Sequence, residues 1–279
     1  MPELPEVETI KRGLNQFLPG KRITRIVVRD SRLRWPVAES KLKKWLVGGE
    51  IRQVERRAKY LLVRMQNAAT LILHLGMSGR LLLLANATPL DKHDHVVFYF
   101  ADGFELRFRD PRRFGMVDAV AADEIERHPR LVGLGLEPLA RGTRAGLLHA
   151  KAKASQRAIK NLLMDSTFIV GIGNIYANEG LFWAGIHPAV PANELSLADW
   201  QKLLRELRGV LNEAIRKGGT TLNDFVNSAG EAGYFQLALA VYGKEGQACP
   251  RCESKVERLV QTGRSSFVCP QCQPLRGSR

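Results

Sequence analysis

All four cysteines of this 279-residue chain lie near its C-terminal end, and their spacing restricts how that region can fold. Cys249, Cys252, Cys269 and Cys272 form the pattern C-x2-C-x16-C-x2-C. Such spacing is typical of a tetrahedral zinc site with four thiolate ligands, and because no ligand position stays open, the metal is structural. The alternative is a redox-active cysteine pair. The stretch between the pairs predicts a two-stranded ribbon that carries Arg264 at its tip.

The chain carries a net charge of +14, because its 42 lysines and arginines outnumber its 28 aspartates and glutamates. The positive residues are spread through segments that look folded, so they favour a binding surface for a polyanion. Nucleic acid is the first candidate, and an acidic membrane surface is the alternative. There is no run of 18 apolar residues and no signal-peptide pattern, so we expect a cytoplasmic protein without a membrane span.

Hydrophobic periodicity predicts an α+β chain with several domains. A helix is expected over 5–18, started by Pro5, and apolar segments such as ITRIVV and HVVFYFADGFELRF predict a β-sandwich up to about residue 133. The Ala-Asp-Gly turn inside the second segment predicts a hairpin. Helices follow over 135–217, the clearest of them capped by Ser196. Weak periodicity over 220–246 predicts a mobile connection. We therefore place the domains at 1–133, 134–228 and 229–279.

The first residues, MPELPEVE, combine a proline with a carboxylate in a way that suggests chemistry. Removal of Met1 would make Pro2 a secondary amine, and the reference pKa of about 7.7–8.0 leaves a useful fraction neutral at pH 7. The dipole of a helix that begins near Pro5 lowers that pKa further. Glu3, next in the chain, is placed to transfer protons. These residues favour an amine nucleophile beside a general acid, and the alternative is an ordinary helix start.

Motifs along the whole length resemble those of one family. The segments MPELPEVET, RRAKYLL, LHLGMSG, KHDHV, DPRRFG, GIGNIYANEGLF, GIHP and GGTTLNDF precede the four-cysteine pattern in this order. The chain is similar in all of them to the bacterial formamidopyrimidine-DNA glycosylases. The resemblance implies a β-sandwich, a helix-two-turn-helix domain and a zinc ribbon. It also implies a monomeric repair enzyme with one structural zinc ion and no organic cofactor, which removes oxidised purines such as 8-oxoguanine from duplex DNA and cuts at abasic sites.

The resemblance assigns four catalytic residues. Pro2 would attack C1′ of the damaged nucleotide and form an iminium with the opened sugar, while Glu3 protonates the ring oxygen; β- and δ-elimination follow. Lys59, in RRAKY, would contact phosphate and assist elimination. Arg264 would hold the phosphates around the lesion, a task that suits a planar, bidentate donor.

Six further residues would contact DNA by the same resemblance. Met77 would fill the gap left by the extruded nucleotide, while Arg112 addresses the opposite cytosine and Phe114 wedges the stack. Ordinary core packing is the alternative for Met77 and Phe114. The complete set is Met77, His93, Arg112, Phe114, Asn174 and Lys160.

The sequence departs from the family pattern at Ser155, where a DNA-contacting lysine is often found. Lys153, Arg157 and Lys160 keep this stretch positive, so we expect at most a modest loss of affinity for the DNA backbone. The resemblance also implies that a loop near 218–234 closes over the extruded base.

Two other interpretations stay open from the residues. An enzyme similar to endonuclease VIII, which acts on oxidised pyrimidines, would share the N-terminal proline, the glutamate and the zinc ribbon. A zinc-ribbon protein that binds damaged DNA without catalysis would need no free amine at Pro2. The LPEVET opening and the GGTTLNDF segment favour the purine enzyme.

Overall fold

The computed structural model describes most of the chain. The described residues are 2–85, 88–218 and 239–275. The connection predicted over 220–246 and the loop predicted near 218–234 fall largely on 219–238, outside the described residues. In the described ranges, no helix is both long enough and apolar enough to span a membrane.

The described residues form two compact units, and the divide along the chain lies between Val132 and Gly133. The first unit opens with helix α1, Leu4–Phe17, one residue earlier than predicted. Glu3 is its N-cap, and Glu6 completes a capping box by accepting the Glu3 N–H on Oε2 at 2.8 Å. The helix buries an apolar stripe at helical spacing. That stripe includes Val7, Ile10 and Leu14.

Eight strands of the first unit form two four-stranded antiparallel sheets, ordered β1-β6-β7-β5 and β2-β3-β4-β8. Apolar side chains of both sheets join one core, in which Val63 and Phe98 are fully buried, so the predicted sandwich is confirmed. The periodicity did not predict the short helix α2. The bounds are β1 Ile23–Val28, α2 Glu39–Leu46, β2 Ile51–Arg57, β3 Tyr60–Met65, β4 Ala69–His74, β5 Arg80–Ala85, β6 Asp94–Phe100, β7 Phe104–Arg109 and β8 Met116–Ala121.

Two connections between strands differ in kind. The Ala-Asp-Gly signal predicted a hairpin, and residues 101–103 do join the paired strands β6 and β7. The segment TLILHLGMSGRLLLL instead crosses from one sheet to the other, because β4 pairs with β8 whereas β5 pairs with β7. Met77 lies in the turn of this crossing.

The second unit contains four α-helices among its described residues. Ser196 caps the longest, α6, because its Oγ accepts the Asp199 N–H at 3.2 Å while Asp199 Oδ2 accepts the Ser196 N–H at 2.8 Å. Helices α5 and α6 pack closely at Gly180, where a Cβ atom would lie 2.3 Å from Leu207 Cδ2. The bounds are α3 Ala145–Ala152, α4 Ile159–Leu163, α5 Asn174–Ala184 and α6 Leu197–Arg216.

The predicted ribbon is present in the second unit. Strands β9, Glu257–Gln261, and β10, Arg264–Val268, form an antiparallel pair. A small apolar cluster lies beneath the ribbon, and Phe182 of α5 belongs to it together with Phe267 of β10. The helices and the ribbon of this unit therefore share buried surface.

Candidate functional site

Pro2 and Glu3 lie at the N-terminal end of α1, and both are buried. The Glu3 carboxylate is 3 % exposed and accepts the Glu6 N–H in the capping box, which fixes its direction. The positive end of the helix dipole acts on the same two residues. A nitrogen at position 2 and a carboxylate at position 3 thus lie buried at the positive end of one helix.

Lys59 lies in the two-residue turn between β2 and β3, rather than on a strand. Arg56 ties this turn to α1, because its Nη1 donates to Ala58 O at 2.9 Å and its Nε donates to Glu8 Oε2 at 3.0 Å. Burial raises the pKa of Glu8, but hydrogen bonds from its basic partners outweigh that effect and hold the pKa below its usual value. The Lys59 turn is therefore fixed relative to the helix that begins at Leu4.

His74 is a site residue that the sequence interpretation missed. It is the cross-strand partner of Tyr60, with ring centroids 4.7 Å apart, and its Nδ1 accepts the Gly76 N–H at 3.0 Å. Burial, and then the charges of Lys59 and Arg34, lower the pKa of His74 to about 4. The imidazole is therefore neutral at pH 7, and its N–H is on Nε2. The sequence could have indicated this residue, because His74 belongs to the motif LHLGMSG and stands three residues before Met77.

One buried aspartate, Asp110, organises the loops that carry the predicted DNA contacts of the first unit. Its Oδ1 accepts the Ser78 hydroxyl at 2.6 Å, and its Oδ2 accepts the Gly115 N–H at 2.7 Å. Ser78 Oγ in turn accepts the Arg112 N–H at 3.1 Å. The Asp110 N–H donates to His93 O at 3.1 Å. The Asp110 side chain thus ties the Ser78 turn to the loop of Arg112 and Gly115, and the Asp110 backbone joins this loop to His93.

Met77, Arg112 and Phe114 project from these loops into solvent. Met77 is 41 % exposed and Phe114 is 40 % exposed, so neither is a core residue. The Arg112 guanidinium lies 4.9 Å from the centroid of the Phe114 ring. Gly76 allows the two loops to meet, because a Cβ atom there would lie 2.4 Å from the Phe114 carbonyl and its φ is +59°. The three side chains form an exposed apolar and cationic cluster on a rigid base.

Arg264 is exposed beside the tip of the ribbon, as predicted. The turn residues Thr262 and Gly263 have φ of 46° and 74°, the left-handed conformation that a two-residue hairpin turn requires. The guanidinium approaches Met164, with Nη1 4.0 Å from Sδ. The ribbon therefore presents this cation at a defined position in the second unit.

Lys160 requires a correction, because its side chain is not at the surface. It is 0 % exposed, and Nζ donates to Ser265 O at 2.8 Å and to Ser266 Oγ at 2.6 Å. Burial and the charge of Arg264 lower its pKa to about 8. The ammonium is committed to β10, so this burial argues against the predicted direct contact with DNA.

Helix α5 holds the ribbon through further polar side chains. Asn174 Nδ2 donates to Ser265 O at 3.0 Å, and Asn178 Oδ1 accepts the Phe267 N–H at 2.7 Å. The buried Glu179 carboxylate accepts the backbone N–H groups of residues 240–242 at distances between 2.8 and 3.0 Å. The motif GIGNIYANEGLF contains all three residues, but only Asn174 was predicted as a site residue.

The four cysteines come together as a candidate metal site. All four Sγ atoms lie within 4.8 Å of one another, with Cys249–Cys272 at 3.9 Å and Cys252–Cys269 at 3.4 Å. Four sulfurs placed about 2.3 Å from a tetrahedral zinc ion lie about 3.8 Å apart, so the arrangement fits that ion. Gln273 supports the site by accepting the Cys269 N–H on Oε1 at 3.1 Å. The metal that fits is one structural zinc ion.

These features define a class of protein: a nucleic-acid enzyme built from a β-sandwich, a helical module and a zinc ribbon. Family models cover most of the chain. The Formamidopyrimidine-DNA glycosylase N-terminal domain matches residues 1–117, the Formamidopyrimidine-DNA glycosylase H2TH domain matches 134–226, and the zinc finger found in FPG and IleRS matches 246–275.

Similar proteins agree over the full length. The chain is 48% identical over 98% of its length to a formamidopyrimidine-DNA glycosylase from Magnetococcus marinus, covering 99% of that relative. It is 50% identical over 98% of its length to one from Laribacter hongkongensis, covering 100% of that relative. A Lactococcus lactis FPG mutant in complex with a Fapy-dG containing DNA superposes with a TM-score of 0.90 at 33% identity, over 98% of this chain and 100% of that one. The chain belongs to the formamidopyrimidine-DNA glycosylase family.

Proposed function

We propose that the protein removes oxidised purines from duplex DNA and then cuts the strand at the abasic site, using Pro2 as the nucleophile. The burial of Pro2 and Glu3 side by side in the chain, at the positive end of α1, is the observation that carries this proposal. Two solved relatives from Lactococcus lactis, bound to DNA with Fapy-dG and with an abasic site, support the substrate class. We place the reaction in the bacterial cytoplasm.

The chemistry assigned to this pair needs no external cofactor. After Met1 is removed, the Pro2 nitrogen forms a bond to C1′ of the damaged nucleotide, and the base leaves with the electrons of the glycosidic bond. Glu3 takes up the proton that the Pro2 nitrogen loses when it bonds to C1′ and donates it to the ring oxygen as the C1′–O bond opens, which yields an iminium. The iminium accepts the electrons released when a proton leaves the neighbouring carbon, and this drives elimination of the phosphate.

The remaining residues are assigned to holding the substrate. Lys59 and the neutral Nε2–H of His74 suit backbone phosphates, since one supplies charge and the other a fixed donor. In the second unit we assign phosphates to Arg264 and to the N-terminal end of α5 at Asn174. Lys160 is assigned to positioning β10.

The exposed cluster of Met77, Arg112 and Phe114 is assigned to the duplex at the site of extrusion. Apolar wedges combined with an arginine are suited to unstacked and kinked DNA. A wedge must keep its position between the base pairs, and the loops fixed by Asp110 provide that support. His93, whose carbonyl oxygen accepts a hydrogen bond from the Asp110 N–H, is assigned to a contact with the adjoining DNA backbone.

Borohydride trapping on an 8-oxoguanine duplex tests the nucleophile. The processed protein should become covalently attached to the DNA, and Pro2→Gly should keep some binding but lose most strand cleavage. Pro5→Ala is the matched control, because it removes a proline from the same helix end without removing the amine, and it should cleave normally. Full cleavage by Pro2→Gly, or cleavage by protein whose intact mass retains Met1, would contradict the assignment.

The domain division at 1–133, 134–228 and 229–279 also remains our proposal. The shared apolar cluster of Phe182 and Phe267 supports a close association of the helical module with the ribbon. Limited proteolysis should therefore cut near residue 133 before it separates the ribbon from α5. Early release of an intact ribbon fragment would contradict this order.

A further inference from the structure

A group of aromatic and cationic side chains in the first unit has no role in the chemistry above. The guanidinium groups of Arg34 and Arg130 lie over the ring of Trp35, 4.8 and 3.9 Å from its centroid. Both arginines are exposed, and in the part of the chain that the structure describes neither forms an ion pair with a carboxylate. Arg32, by contrast, pairs with Asp30 at 2.9 Å. The Trp35 stack therefore carries two positive charges that no acidic residue neutralises.

The backbone beneath Arg130 is fixed from the inside by His128, which is buried. His128 Nδ1 accepts the Arg130 N–H at 3.3 Å, and its carbonyl oxygen accepts the N–H groups of Leu131 and Val132 at 2.8 and 3.0 Å. His128 Nε2 lies 3.2 Å from Asp118 Oδ2. Because these hydrogen bonds already fix the backbone at Arg130, little backbone entropy is lost when the arginine binds a partner.

A cavity of about 620 Å³ opens beside the stack and gives an anion room to approach. Its lysine, arginine and acidic lining residues are Lys41, Asp118, Glu124, Arg127 and Arg130. Asp118 already accepts hydrogen bonds from Lys41 and His128. The basic residues of the lining therefore exceed the acidic ones that remain to oppose them.

The stack also lies near residues assigned to phosphate. Burial raises the pKa of Tyr60, and the charges of Arg130 and Arg34 oppose that rise. Arg34 acts with Lys59 on the pKa of His74. Charges act over roughly 10 Å at 0.1 M salt, so both guanidinium groups are neighbours of the turn that carries Lys59.

We propose that Arg130, supported by Trp35 and joined by Arg34, binds the phosphodiester backbone of duplex DNA as an extension of the Lys59 contact. A guanidinium stacked on an indole keeps its donor edge free for phosphate oxygens. This inference rests on the proposed DNA substrate. It adds a phosphate contact that the family motifs of this sequence do not contain.

The salt dependence of DNA binding tests the contact. Binding to a duplex with a tetrahydrofuran abasic analogue is measured by fluorescence anisotropy across a series of salt concentrations. Arg130→Gln should reduce the slope of log Kd against log salt by about 0.9, the effect of one lost phosphate contact. Arg130→Lys should restore most of that slope, and Trp35→Leu should weaken binding by about two- to five-fold.

The matched control is Arg25→Gln. Arg25, on β1, lies 4.0 Å from the centroid of the Tyr99 ring on β6, so it makes the same kind of contact elsewhere in the unit. Its slope should equal that of the unaltered protein. A wild-type slope for Arg130→Gln would overturn the inference while leaving the proposed function intact. An equal loss of slope for Arg25→Gln and Arg130→Gln would also overturn the inference, because the effect would then come from the net charge of the protein. Failure of the unaltered protein to bind the duplex would instead contradict the proposed function.

Discussion

In each of the two units a buried polar side chain supports residues that we predict to contact DNA, but the two buried groups have different partners. In the first unit, the carboxylate of Asp110 accepts a hydroxyl hydrogen and a backbone N–H, one on each oxygen. In the second, the ammonium of Lys160 donates to a carbonyl and a hydroxyl while Arg264, also positive, lies close enough to lower its pKa. The second arrangement therefore brings two positive charges close together.

The difference has consequences for pH. Lys160, with a pKa of about 8, begins to lose its charge only slightly above neutral pH. Buried charges keep their usual state only where partners compensate for lost hydration, and repulsion from a second cation works against that. The base of the first unit should therefore be the more rigid of the two, and the ribbon support of the second unit should respond to mild alkali.

Asp110→Asn should have the broadest effect, on both stability and base discrimination, because it alters the buried base of the first unit. An amide at this position can accept from only one oxygen, so its N–H₂ would face either the Ser78 hydroxyl or the Gly115 N–H, and a buried donor would lose its partner. Loss of one such bond costs about 1–3 kcal/mol, and both loops should loosen. We expect lower unfolding free energy in urea and poorer discrimination of the base opposite 8-oxoguanine.

Asp123→Asn is the control for that experiment, since Asp123 is an exposed aspartate on the same unit. It should leave both the unfolding free energy and the discrimination unchanged. If Asp110→Asn behaves like this control, Asp110 does not organise the loops and the comparison between the two units loses its basis.

Lys160→Met should have a narrower effect, which is confined to stability and depends on pH. The folded pKa of about 8 lies below the ordinary 10.5, so between these values the unfolded chain binds more protons and the stability of the unaltered protein rises with pH. A methionine cannot titrate. The unfolding free energy of the unaltered protein, relative to that of the variant, should therefore rise by about 3 kcal/mol between pH 7 and pH 10.5. Urea unfolding with zinc present at both pH values measures this gain.

Lys153→Met is the matched control, because Lys153 is an exposed lysine from the segment just before α4. Its pH dependence should match that of the unaltered protein. Parallel curves for Lys160→Met and the unaltered protein would show that Lys160 has an ordinary pKa, and the contrast with Asp110 would then rest on geometry alone.

Local patterns in the sequence predicted the parts of the fold that local physics determines. The Ala-Asp-Gly hairpin, the Ser196 cap and the ribbon with Arg264 at its tip all depend on residues within a few positions of one another. The four-cysteine spacing likewise predicted a site whose ligands come in adjacent pairs. Helix α2 was missed because eight residues give only two buried apolar positions, Leu42 and Leu46, too few to define a period.

The supporting residues of the site could not be predicted, because their partners are distant in sequence. Ser78 and Asp110 are 32 residues apart, and Glu179 meets a segment more than 60 residues later. A buried polar residue inside a motif has no periodic pattern of its own. Function is therefore assigned to the residues beside it, and the buried residue is overlooked. Lys160 was misplaced for this reason: a lysine in a basic stretch suggests a surface contact, and only the fold shows its ammonium beneath β10.

Ser155→Lys should have the smallest effect and bears on the second unit's share of DNA binding. Ser155 Oγ is buried without a hydrogen-bond partner among the described residues, so replacing it removes no bond. The position borders an open depression formed with Lys151 and Arg157, which has room for a longer side chain. A lysine there should steepen the salt slope of DNA binding by about 0.9. Gln156→Lys, one residue further on, is the control that adds the same charge. An equal increase in slope for both variants would mean that the added charge acts through the general electrostatic field of the protein. Position 155 would then not be a specific phosphate contact.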